Sequence, residues 1–111
     1  MAVVYENIEN WSEADRVPVA RATRSLEGIM ESAFERASVN WSRKRGADGA
    51  AEFTLAVTDP GREGGTAETH LTSDELQSET RVRIRLLQLW GDLLRDFERR
   101  LKRNFSMPTG V

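Results

Sequence analysis

Apolar residues recur along this chain with two different periods, and each change of period marks an element. Leu26, Ile29, Met30, Ala33, Phe34, Ala37 and Trp41 return every three or four residues, which places them on one face of a helix. The spacing predicts that this helix opens near Asp15, whose carboxylate can cap the free amides of the first turn. Pro18 then falls within that turn, where its missing N–H costs little. Glu27, Glu31 and Glu35 form an acidic row beside the apolar stripe. Ser42 and the basic run Arg43-Lys44-Arg45 suit the helix C-terminus, and Gly46 suits its stop. Ahead of it, residues 1–11 hold Val3, Val4, Tyr5, Ile8 and Trp11 without a clear period, which fits an N-terminal arm or an edge strand.

The period then shortens to two. In AEFTLAVT, residues 51–58, Phe53, Leu55 and Val57 alternate with more polar positions, the pattern of a half-buried strand. Asp59-Pro60-Gly61 is strong turn chemistry, because proline presets one turn angle and glycine permits the positive one. After Gly64-Gly65, the run TAETHLT reads as a weaker return strand, so a hairpin with a long tip is expected.

A helical period returns over residues 73–105, which contain no proline and a single glycine, Gly91. Thr72-Ser73-Asp74-Glu75 opens this segment as a capping box. Leu76, Val82, Leu86, Leu87, Leu89, Trp90, Leu93, Leu94, Phe97, Leu101 and Phe105 fall within an arc of about 160°. Residues 80–86 also alternate like a strand, and on a helix Arg83 falls inside the apolar arc while Ile84 falls outside it. The helix is preferred, because a strand would leave the capping box with nothing to open and would need a turn between Leu86 and Trp90, where no turn residue stands. Such a helix spans roughly 48 Å, against a radius of gyration near 13 Å for a compact domain of this length. Either it bends at Gly91 or a second subunit covers the part that projects. The expected fold is α+β: helix, β-hairpin and long C-terminal amphipathic helix in a small two-layer domain spanning 1–111, with residues 106–111 as a flexible tail.

Composition narrows the classes of function. Hydrophobic residues at 39% and charged residues at 31% are those of a soluble globular chain, and no apolar run approaches a membrane span. The first residues, MAVVYENIENW, do not read as a secretion signal. With no cysteine there is no disulfide or thiolate site, and a cytoplasmic location is expected. Fourteen arginines against two lysines suggest a GC-rich coding sequence, as in a small bacterial or phage protein, although a guanidinium-rich surface would give the same count. Charge is unevenly spread: residues 1–35 carry three basic and seven acidic side chains, residues 81–103 eight basic and three acidic. Two surfaces of opposite sign follow.

Candidate chemistry is sparse. His70 has no second histidine or cysteine for a zinc site and no visible nucleophile to serve. Glu27, Glu31 and Glu35 have the spacing to hold a hard cation but read as a solvated face. Glu79 and Arg83 can pair across one helical turn. GREGGT lacks the spacing of a phosphate loop, and the C-terminal Thr109-Gly110-Val111 is a pattern common by chance. No cofactor, metal or small-molecule substrate is inferred. The expectation is a non-enzymatic interaction or assembly module, an adaptor, that forms a homodimer through Leu86, Trp90, Leu93, Leu94, Phe97 and Leu101. The alternative is nucleic-acid binding, or capture of an acidic protein, through an arginine-rich stripe of Arg81, Arg85, Arg95, Arg99, Lys102 and Arg103.

Overall fold

Glu31 decides where the first helix ends. In the computed structural model, which describes residues 2–46, 49–59 and 65–105 (without the side chains of residues 100, 101 and 103–105), α1 runs Glu13–Met30. Glu31 then takes φ 53, ψ −127, a conformation no α-helix can continue through. A 3-10 segment, Glu31–Glu35, keeps Ala33 and Phe34 buried, and the chain turns into an extended strand, β2 (Ser38–Arg45). The expected helix through Trp41 is therefore corrected. Trp41 and Arg43-Lys44-Arg45 lie on a strand, and the acidic row divides between α1, the break and the 3-10 segment. The start differs too: α1 opens at Glu13, Pro18 falls in its second turn, and Asp15 caps nothing but pairs with Arg43 of β2 at 3.0 Å.

Residues Ala2–Tyr5 form β1, the edge strand, which pairs in parallel with β2. Parallel neighbours need a long crossover, and α1 supplies it. From β2 the sheet continues as an antiparallel meander through β3 (Ala51–Thr58) and β4 (Thr66–Thr72), in the order β1-β2-β3-β4. The hairpin of β3 and β4 has the strands the alternation predicts. The amide of Asp59 closes it by donating to the Gly65 carbonyl at 2.8 Å. The turn residues 60–64, with most of GREGGT, and the tail 106–111 lie outside the described residues.

The register stacks the apolar residues in rows on one face: Val3, Val39, Val57 and Ala67, then Tyr5, Trp41, Leu55 and Thr69, then Phe53 with Leu71. Val19, Ala22, Leu26 and Met30 of α1 cover that face, and Trp11 meets Tyr5 and Phe53 edge-on at 6.1 and 5.5 Å. The other face carries Asn40, Ser42, Lys44, Glu52, Thr54, Glu68 and His70, and stays open to solvent. The result is two layers, with helices on one side of the sheet only.

Thr72 caps α2 (Ser73–Leu76) through the full capping box: its hydroxyl accepts from the Glu75 amide, and the Glu75 carboxylate accepts from the Thr72 amide. The long helix does not run straight on. Gln77 and Ser78 interrupt it, Ser78 Oγ accepts from the Arg81 amide, and α3 covers Glu79–Phe105. Residues 80–86 are helical, as expected. No helix among the described residues is long and apolar enough to cross a membrane.

Candidate functional site

The wide apolar arc of α3 divides into two stripes with different fates. Val82, Leu86, Leu89 and Leu93 are buried against the sheet and α1, between 0 and 6% exposed. Leu86 and Leu93, expected at an oligomer interface, are thus part of the core of a single chain, because β3 and β4 present an apolar face that one helix must cover. The second stripe lies on the flank. Leu87, Trp90, Leu94 and Phe97 follow one another at steps of three, four and three, the heptad spacing of a helix–helix seam. Leu87 is 47%, Leu94 46% and Phe97 37% exposed, and Trp90 is half-buried. Leu101 continues the spacing, but its side chain lies outside those described.

The position of α3 explains why this flank is bare. The helix starts beside the end of β4 and runs back along it. At the far end of β4 the backbone of Gly65 approaches so closely that a Cβ there would stand 2.9 Å from the Leu93 carbonyl oxygen and 3.4 Å from Phe97 Cβ. The neighbouring Thr66 amide donates to the Asp96 carboxylate at 2.9 Å. Residues 98–105 then continue as about 12 Å of helix beyond the contact with Gly65, with no strand among the described residues beneath it. The molecule measures 58 × 31 × 26 Å, with the long axis that such a projection demands.

The first half of the same flank forms one wall of a groove of about 960 Å³, and α1 forms the other. Ile29, Leu87 and Trp90 give it an apolar lining, and Arg21, Arg24, Arg83 and Glu79 line it with charge. Arg83, the misfit in the apolar arc, is exposed here; among the described residues neither it nor Glu79 takes part in an ion pair, so of the two readings of this helix end, a pair across one turn or simple exposure, the structure shows exposure. Arg21 and Arg24 were missed by the sequence reading. They stand some sixty residues from Arg83, and no local pattern connects them.

The arginine stripe is partly neutralised. Arg85 donates twice to the Glu75 carboxylate, at 3.1 and 3.2 Å. Arg95 pairs with Asp92, and Lys102 with Glu98 at 3.4 Å. Arg81 and Arg99 are exposed without an ion pair among the described residues, and the side chain of Arg103 lies outside those described. Three hydrogen-bonding groups act on Glu75: the Thr72 amide foremost, then Arg85, then the Thr72 hydroxyl. Together they hold its pKa below the ordinary value of 4.5, against a smaller upward push from burial.

On the open face His70 lies between Glu68, 3.6 Å from Nε2, and Glu52, 4.0 Å from Nδ1, with Thr54 Oγ1 at 2.9 Å from Nδ1. Among the described residues no group of three or more histidine, cysteine, aspartate or glutamate side chains could hold a metal ion. Comparisons with protein-family models, with curated proteins and with solved structures find no match to this chain.

Proposed function

We propose that the protein is a non-enzymatic interaction module that self-associates through the flank of α3. One observation carries this reading: after the core is complete, Leu87, Trp90, Leu94 and Phe97 still form a seam at heptad spacing, and it leads onto helix that projects past the sheet. Fully burying a side chain of this kind is worth about 1.5–3 kcal/mol, so four half-covered ones give a second copy a substantial return. A two-fold contact would present the same stripe from both chains, with Leu94 near its centre. A cytoplasmic setting belongs to the same proposal, since a chain without cysteine gains no disulfide from an oxidising compartment.

Light scattering coupled to size exclusion tests it. The parent chain is expected at twice its monomer mass at micromolar concentration, and Leu94→Glu with Phe97→Glu at monomer mass with unchanged circular dichroism. A parent that stays monomeric, or a double variant that keeps the dimer mass, refutes the reading. Arg81 and Arg99, exposed and without ion pairs among the described residues, support nucleic acid as a second partner. That reading requires binding that weakens log-linearly with salt and is lost when both become glutamine.

A further inference from the structure

The groove between α1 and α3 shares Leu87 and Trp90 with the seam and adds to them a wall of α1 and three arginines that the seam does not use. From this combination we infer that it is the docking site for an acidic amphipathic helix of a second protein. The groove face of α1 runs from Pro18 to Ile29, roughly 17 Å or three helical turns, which suits a helix anchored at positions i, i+3 or i+4, and i+7. Ile29, Leu87 and Trp90 offer those anchors an apolar bed. Ser25 and Gly28 keep the α1 wall low, and a Cβ at Gly28 would meet nothing within 4 Å. That glycine is therefore not required by packing inside the domain, although glycine within a helix weakens it.

Charge identifies the occupant. Three guanidiniums, Arg21, Arg24 and Arg83, line the groove against one carboxylate, Glu79, and none of the four takes part in an ion pair among the described residues. Like charges held together without partners repel, and guanidinium forks match carboxylates in paired hydrogen bonds. A helix with leucine-like anchors and glutamates on its flanks satisfies both the bed and the charges. A nucleic acid would satisfy only the charges, leaving Ile29 and Leu87 against phosphate. The overhanging end of α3 from a second copy is also a poor occupant, because Arg99, Arg100, Lys102 and Arg103 outnumber Glu98 there and share the sign of the groove.

Selection from a displayed library of single helices, with fixed apolar anchors and randomised flanks, tests the assignment on the full-length protein. Enriched helices are expected to carry glutamate or aspartate on their flanks and to quench or shift Trp90 fluorescence on binding. Gly28→Leu, which fills the groove without touching the core, should weaken them about tenfold or more, with helicity and thermal stability retained. Arg21→Glu, Arg24→Glu and Arg83→Glu together should turn the preference towards lysine-flanked helices. The assignment is overturned if no helix is enriched, if the flanks are neutral or basic, or if either variant binds like the parent. It is equally overturned if duplex DNA or RNA binds the groove and displaces the selected helices. Leu94→Glu with Phe97→Glu abolishes self-association in the proposal above while every groove residue stays in place, so helix binding measured on that variant tests the groove apart from the seam with which it shares Leu87 and Trp90.

Discussion

Among the described residues Thr23 is the one polar residue in the core, and its hydroxyl joins three elements. It donates to the Val19 carbonyl within α1 at 2.9 Å and accepts from the Trp41 indole of β2 at 3.0 Å and the Tyr5 hydroxyl of β1 at 3.4 Å. Thr23→Val keeps the shape but leaves the buried indole N–H without an acceptor, which costs about 1–3 kcal/mol. Urea denaturation should show that loss, with Thr23→Ser close to the parent; a valine variant of parental stability would mean the indole finds another partner. Glu75 makes the second prediction at this scale. Its pKa is lower folded than unfolded, so the stability it contributes is complete above the unfolded value and is lost as pH falls through the folded one. Stability should therefore decline below the ordinary glutamate value of 4.5, and Glu75→Gln should flatten part of that acid limb. Gln retains an oxygen for the Thr72 amide but neither the charge that Arg85 pairs with nor the titration. An acid limb unchanged in Glu75→Gln would assign the pH dependence to other carboxylates.

Among the elements, those legible in the sequence are specified by near neighbours. The alternation of Phe53, Leu55 and Val57 and the Thr72–Glu75 capping box involve residues at most four positions apart, and both form as expected. β2 was hidden because Ala33, Phe34, Ala37 and Trp41 keep helical spacing across a break made by Glu31, a residue type that gives no warning of a positive φ. The alternation that marks the strand, Val39 and Trp41 inward against Ser38, Asn40 and Ser42, lasts only five residues before a basic run hides it. Arg83 and Ile84 read as misfits in α3 because a single chain cannot show that α1 leaves a groove beside Arg83 and that Ile84 faces solvent at 51% exposure. Two glycines then make opposite predictions. Gly65→Ala forces a methyl against the Leu93 carbonyl, backbone that cannot swing aside, and should cost about 1–3 kcal/mol while loosening the hairpin from α3. Gly28→Ala meets open space within α1 and should stabilise by about 0.5–1 kcal/mol. Thermal melts of both variants check the pair, and equal shifts would contradict the packing described.

At the scale of the whole molecule, the core and the proposed assembly surface share one helix, which separates their mutational signatures. The radius of gyration, 15.9 Å, exceeds the roughly 13 Å of a compact chain this long, as the overhang of α3 requires. The sequence left that length two outcomes, a bend at Gly91 or a projection, and α3 runs through Gly91 as one helix. The division of the leucines was not legible there, because the two stripes merge into one arc until the sheet claims Val82, Leu86, Leu89 and Leu93. Leu86→Ala empties space inside the fold and should cost about 2–5 kcal/mol at any protein concentration. Leu94→Ala removes a half-exposed side chain, so the isolated fold should change by no more than about 0.5 kcal/mol. Its effect should appear in the concentration dependence instead. A dimer that binds only the native chain raises the melting temperature as concentration rises, and Leu94→Ala with Phe97→Ala should flatten that rise towards zero. Melts across a hundredfold range of concentration decide the matter: a parent curve that is already flat removes the dimer, and an unflattened variant curve moves the interface away from α3.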